Sequence, residues 1–356
     1  MYLLPLFSIL LLKPMRILSI GTLTRDLFLE SPLFKVVRDK EHLSRLGFPD
    51  GEAQCFALGA KIEVKGMYTR GGGGAGNSAV TFVRQGHSVD VLARIGSDEG
   101  GLIVRDELRK ERVGLSRVIQ DKKSGTASSV ILHAERGERT ILHYRGASEN
   151  LRKEDIPDMS TYKGVYIVPG NIKLPIIKAA ILKAKAARAI VALNPSHAYL
   201  EPGLKRLQSL YRLADVLLMN KEEAALLLGR DGSTGDLMRE LLRGYSGLAV
   251  ITDGPRGSCV SDGAKMWRAE IFKEKKIADR TGAGDAFGSA FFATLVSSRK
   301  SSSGWDKSVV REAVRRASAN AASVVESLGA RPGILSKTAL SSVRWRNLRM
   351  EEISLR

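Results

Sequence analysis

The stretch Asp279-Arg280-Thr281-Gly282-Ala283-Gly284-Asp285-Ala286-Phe287 decides how this chain is read. A short polar and basic run at residues 273–276 precedes it, and an apolar segment at 288–296 follows. Phe287, Phe291, Phe292 and Leu295 recur at helical spacing, which predicts that a loop becomes a helix between Gly282 and Asp285. Two glycines flanking Ala283 let backbone N–H groups turn toward one point with little side chain in the way. A helix N-terminus adds unpaired donors and a partial positive charge, so Gly282, Ala283 and Gly284 form a candidate anion hole. Asp285 then falls in the first turn, beside the anion. A carboxylate is a poor holder of phosphate but a suitable base for a hydroxyl that attacks phosphate. The plainer alternative is an acidic residue favoured by the helix dipole.

The whole string resembles the C-terminal signature of the PfkB (ribokinase-like) carbohydrate kinases, usually D-T-x-G-A-G-D-x-F. Asp279, Gly282, Ala283, Gly284, Asp285 and Phe287 fit it, while Arg280 stands where the family often has a small hydroxyl residue. The resemblance implies an α/β fold: a ribokinase-like three-layer α/β/α sandwich with a mostly parallel central sheet and a small β-sheet lid. It also implies ATP and Mg²⁺, with Asp285 as the catalytic base.

Composition narrows the alternatives. A chain of 356 residues with 44% hydrophobic and 26% charged content can bury a sizeable core. Two cysteines, Cys55 and Cys259, lack metal-type spacing and point to a reducing compartment, here expected to be the cytoplasm. The net charge of +18 is spread along the chain among acidic residues, with no aromatic-interleaved basic motif. An anionic nucleotide substrate accounts for it better than nucleic-acid binding does. The apolar start, residues 1–12, is too short to span a membrane and lacks a basic region before it. Residues 1–14 are therefore expected to be a non-structural extension, ahead of a first strand at 17–20.

That strand ends at Gly21, and Asp26 follows at its mouth, where open α/β sheets bind ligands. The family places an Asp that binds substrate hydroxyls at this spacing; a solvated loop carboxylate is the other reading. Residues 60–65 alternate apolar and polar, which predicts a half-exposed strand. Lid elements are expected within 28–70 and 117–146, with residues 35–57 as an insertion of unassigned role. The run from Gly71 to Asn77 is formally G-x-G-x-x-G, but no clean buried strand precedes it and no acidic residue follows at the dinucleotide spacing. It matches the family's N-terminal signature instead, which makes Gly72, Gly73 and Asn77 candidates for the sugar. Residues 96–100 resemble a further family turn.

From residue 165 the chain alternates strand and helix, as a parallel sheet covered on both faces requires. Asn220 and Glu223 follow an apolar strand. They read either as a helix cap with its N3 partner or, as the family's N-x-x-E, as organisers of Mg²⁺ through water. Thr252, Gly254 and Gly257 resemble the family's nucleotide turn, and Asn320 lies in a predicted helix near where the family buries adenine. By the same resemblance, Asp279 and Thr281 with residues 329–333 are candidates for a monovalent cation, K⁺. The kinase domain is read as 15–335, with 336–356 as a tail of undefined order. The expected reaction is transfer of phosphate from ATP to a hydroxymethyl group of a sugar or sugar-like compound. A nucleoside kinase would use Phe28, Phe56, Tyr68 and Tyr144 as walls; a phosphosugar kinase would use Arg70, Arg139 and Arg145. Outside the class stand a nucleotide-binding regulator and a nicotinamide-dependent oxidoreductase. Lid strands in this family often pair between subunits, so a homodimer through the lid is expected by analogy.

Overall fold

Short apolar runs that end in glycine or a polar residue become buried strands, and the amphipathic stretches between them become covering helices. The structure is a computed structural model and describes residues 13–48, 51–134, 139–298 and 304–354. The expectation for residues 1–12 lies outside these, as does the hairpin turn that the polar run at 135–138 predicts. β1 (Arg16–Gly21) runs into β2 (Thr24–Glu30), then into an excursion of β3 (Lys35–Arg38), α1 (Lys40–Arg45) and β4 (Glu52–Cys55). β5 (Gly66–Gly72) leads to α2 (Gly74–Arg84), β6 (Ser88–Gly96), α3 (Glu99–Lys110) and β7 (Val118–Asp121). β8 (Ser128–His133) and β9 (Arg139–Tyr144) follow.

The second half continues with β10 (Gly164–Val168), α4 (Leu174–Ala186), β11 (Ile190–Leu193), α5 (His197–Leu200) and α6 (Gly203–Tyr211). Next come β12 (Val216–Asn220), α7 (Lys221–Leu228), α8 (Thr234–Gly244) and β13 (Leu248–Thr252). The chain ends with β14 (Ser258–Ser261), β15 (Lys265–Ala269), α9 (Ala283–Val296), α10 (Lys307–Val325) and β16 (Met350–Ser354).

The central sheet has the order β16-β15-β14-β13-β12-β11-β10-β1-β6-β7. From β7 to β13 the neighbours are parallel, and β14 to β16 add an antiparallel edge. Alternation along each strand feeds two separate cores. Val250, Val260 and Trp267 face α9 and α10, while Ile251, Cys259 and Met266 face the α4 to α8 layer. These are the three layers expected of the ribokinase-like sandwich. Among the described residues no helix is long and apolar enough to cross a membrane. Cys55 and Cys259 are both free.

The lid is a second sheet, β5-β2-β8-β9. Its β2 strand, paired on both sides, begins where residues 22 and 23 leave β1, so the lid follows the central sheet directly in the chain. Two expectations need correction. Residues 60–65 are not a strand, despite their alternation. The pairing starts at Gly66 opposite Glu30, and the segment before it is held as a loop, with Ser31 Oγ donating to the Glu63 carbonyl. Nor is 336–356 an undefined tail: Trp345 is buried against Phe272, and β16 pairs antiparallel with β15. The 35–57 segment folds as the β3–β4 hairpin around α1.

Candidate active site

Strand ends and helix starts converge on one side of the central sheet, where a parallel sheet leaves unpaired backbone and space for ligands. A cavity of about 250 Å³ opens there, lined by Val168, Asn194, Ser196, Asn220, Glu223, Thr252, Gly284 and Asp285. The sequence pointed to Asn220, Glu223, Thr252, Gly284 and Asp285. It did not point to Asn194 and Ser196. Their signal is positional: Asn194-Pro195 stops the apolar run of β11 at the same mouth that carries Asn220 one strand over.

Asp285 occupies the first turn of α9, and its carboxylate accepts a 2.9 Å hydrogen bond from Asn77 Nδ2 on α2. Burial pushes its carboxyl above the ordinary aspartate value. The Asn77 bond and the Arg331 charge oppose that rise, and the charge of Asp26 adds to it. The result is a carboxylate more basic than a solvated one, at the wall of the cavity. Asp26 lies on β2 with 9% exposure, and burial raises it as well. Thr24 Oγ1 donates to it at 2.9 Å. Gly72 must be glycine here, because a Cβ would run into the Asp26 carboxylate. Gly73 caps α2 with φ of 84°.

Asn77 is buried with both ends of its amide in use. Nδ2 serves Asp285, and Oδ1 accepts from Arg331 Nε at 3.1 Å. Its observed contacts therefore lie between Asp285 and a buried arginine. The anion-hole glycines also differ among themselves. Ala283 N–H already reaches the Arg280 carbonyl at 3.3 Å, whereas a Cβ on Gly284 would meet nothing within 4 Å. Gly282 is the N-cap at φ 79°, and a Cβ there would strike Ala330. Gly282→Ala is expected to cost ~1–2 kcal/mol in left-handed strain alone and to push the α9 start off the loop at Ala330. Steady-state kinetics should then show kcat down about tenfold; an unchanged kcat would separate this N-cap from turnover.

Asn220 and Glu223 form a reciprocal capping box, with Asn220 N donating to Glu223 Oε2 and Glu223 N donating to Asn220 Oδ1, both at 2.8 Å. The capping alternative is thus realised, yet both residues also line the cavity. Burial raises the Glu223 carboxyl. Oxygen donors from Glu223, Asn220 and Asn194 suit a hard cation that keeps most of its waters and shares a nucleotide's phosphates. No cluster of three or more His, Cys, Asp or Glu that could hold a metal occurs among the described residues, so any Mg²⁺ would rely on phosphate and water for its remaining ligands.

The other candidates are placed away from the cavity. Gly257 serves the β14 turn, where a Cβ would strike the Ala269 carbonyl, and Gly254 has φ of 50° in the same turn. Asn320 is fully buried, donating to the Ala286 carbonyl at 2.9 Å and accepting from Leu335 N at 2.8 Å. Its amide ties α10 to α9 and to the loop at Leu335. Asp279 accepts from Thr281 N, Thr281 Oγ1 and Gly329 N, which knits the α9 entry to the late loop.

Comparisons with known proteins bear on the family and the fold. The sequence matches the family model described as pfkB family carbohydrate kinase over residues 52–337. A probable fructokinase-7 of Arabidopsis thaliana is 29% identical over 287 residues, spanning 76% of this chain and 83% of the relative. Among solved structures, an Arabidopsis thaliana ribokinase complexed with ribose and ATP is similar with a TM-score of 0.74 at 19% identity, covering 92% of this chain and 98% of that one. An adenosine kinase from Sinorhizobium meliloti is similar with a TM-score of 0.72 at 22% identity, with the same two coverages.

Proposed function

Because the chain belongs to the pfkB family of carbohydrate kinases, we propose that it transfers the terminal phosphoryl group of ATP to a hydroxymethyl group of an uncharged sugar. The observation that carries this reading is the pairing of Asp285 with Asn77 at the α9 N-terminus, facing Asp26 beneath the lid. Asp26 orients the acceptor through its hydroxyls, beside the close-approach backbone of Gly72 and Gly73. Asp285 takes the proton from the attacking hydroxyl as the new O–P bond forms and the bond to the leaving ADP breaks. The N–H groups at the start of α9, Gly284 and Asp285 foremost, stabilise charge on the equatorial phosphoryl oxygens. Asn194, Asn220, Glu223 and Thr252 would hold the nucleotide phosphates and Mg²⁺, which when bound neutralises phosphate charge. Lid closure keeps water from competing for the phosphoryl group.

Cross-strand register favours a sugar over a nucleoside. Residues opposite Asp26 share its face of the lid: Arg70 on β5, Ser129 on β8 and His143 beyond it on β9. The next row contains Tyr68, Phe28, Ile131 and Ile141. Phe28 stacks on Tyr68 at 5.0 Å and on His133 at 5.8 Å, so these rings occupy one another's faces. Phe56 packs on Phe34 in the excursion, and Tyr144 lies in the row that faces away from Asp26. No open aromatic slot is left for a base among them. Of the three cations considered for a phosphosugar, Arg70 alone shares the Asp26 face: Arg145 pairs with Glu149 at 3.6 Å, and Arg139 sits opposite His133, at the far end of the lid.

Relatives named fructokinases make a ketohexose the first acceptor to try. ADP release with Mg²⁺, with and without K⁺, is to be measured across fructose, ribose, ketodeoxygluconate, fructose phosphates and adenosine. A neutral sugar giving the highest kcat/KM is the expected result. Preference for adenosine or for a phosphosugar would overturn the acceptor class, and tight ATP binding without ADP release for any acceptor would favour a regulator.

A further inference from the structure

Arg331 lies in the loop after α10 with 7% exposure, and its guanidinium is spent on protein groups from three distant elements. Nε donates to Asn77 Oδ1 at 3.1 Å, Nη2 to the Gly72 carbonyl at 2.9 Å, and Nη1 to Glu107 Oε2 at 3.1 Å. The same Glu107 oxygen accepts from Gly71 N–H at 2.7 Å. Small residues make room for the group: a Cβ on Gly71 or on Gly76 would run into it. Burial of an arginine against one partly exposed carboxylate is costly unless its donors are all used. Here they are turned toward the acceptor loop and the amide that touches the base.

Guanidinium has five donors and no acceptor, and an ionised carboxylate only accepts. An asparagine between them has one low-energy orientation, oxygen toward Arg331 and nitrogen toward Asp285. The reverse orientation would set N–H against N–H at one end and oxygen against carboxylate at the other. We infer that Arg331 is a positioning residue that fixes the Asn77 amide so that it can only donate to Asp285, which holds the base in its ionised, proton-accepting form. This rests on the reading of Asp285 as the base. The other groups that face Asp285 are Asp26 from β2, Tyr166 from β10 and Glu223 from α7. Two of these are carboxyls and disfavour the ionised form, which is the effect Arg331 opposes.

The test is the ionisation of Asp285 itself, followed by carbon-13 NMR of aspartate-labelled protein, with Asp285→Asn identifying the signal. In Arg331→Met the titration midpoint should rise by about one pH unit or more, a tenfold change in the protonation equilibrium. The acid limb of kcat should move with it while the KM for ATP holds. Arg331→Lys keeps charge and donor-only character and should restore most of the shift. If Arg331→Met does not fold, Arg331→Gln stays polar but is neutral and can present either end to Asn77, and it should still raise the midpoint. An unchanged midpoint in the folded variant, or a rise in the KM for ATP as large as the loss in kcat, would overturn the proposal. The titration is readable without any turnover, so a raised midpoint in Arg331→Met beside a wild-type protein silent toward every sugar would overturn the base reading while keeping Arg331's hold on the Asn77–Asp285 contact.

Discussion

Asp285→Asn is expected to bind nucleotide as the parent does and to lose roughly 10²- to 10⁴-fold in kcat, the usual range for removing a positioned general base. The amide is close in size and can still accept from Asn77 Nδ2, so the α9 start keeps its geometry. What disappears is a group able to take a proton. The KM for ATP should stay within about twofold, because binding and chemistry are carried by different atoms. A residual kcat above a tenth of the parent value would remove Asp285 from the role of base. The same substitution should also stabilise the protein. Asp285 has an ordinary value of 3.8 that burial raises in the fold, so between those two values the native state binds more protons than the unfolded one. Stability therefore falls as pH rises through that window, and the full penalty is present at neutral pH. Thermal melts should show Asp285→Asn above the parent at pH 7 and equal to it below pH 3.8. Activity runs the opposite way, dying on the acid side as the base is protonated.

Asp26→Asn should act on the acceptor and leave the nucleotide alone. Hydrogen bonds to a charged group are worth about 1.5–3 kcal/mol each, and a carboxylate can accept from two sugar hydroxyls at once. An asparagine keeps one acceptor and offers a donor in place of the other. The expected loss is roughly 10²–10³-fold in kcat/KM for the acceptor, mostly in KM. Product formation against acceptor concentration, at saturating ATP, separates the two parameters. A substitution that moved only the KM for ATP would place the acceptor elsewhere. Because the Asp26 charge raises the proton affinity of Asp285, Asp26→Asn should also shift the acid limb of kcat downward.

The parallel part of the fold was legible because its strands are short apolar runs bounded by glycine or polar residues. Asn220 at the end of β12 and Thr252 at the end of β13 are examples. The antiparallel edge was not. Met350–Ser354 carries two glutamates and looks like tail, and it becomes a strand only because β15 offers it a register. Residues 60–65 mislead in the opposite direction, since their period of two has no partner strand to pair with. At the site, Asp285 and Asp26 were legible from local spacing. Asn77 was read as an acceptor contact because its two true neighbours are far away in the chain. Arg331 was read only as part of the 329–333 loop, with no local signal for its contact with Asn77, and Asn320 was read from its position in a helix, which does not carry its burial.

The base and its amide partner are 208 residues apart, and Arg331 meets Asn77 across 254. Closing so long a loop adds little to the equilibrium cost, since loop entropy grows only logarithmically. Its effect is on timing. A ribosome making about 5–20 residues per second releases the lid and the acceptor carboxylate well before it releases the base. A nascent chain can therefore fold its first parallel strands and still have no way to activate a hydroxyl or a water. On the proposed mechanism, phosphoryl transfer waits until the last helices dock and bring Asp285 to Asn77.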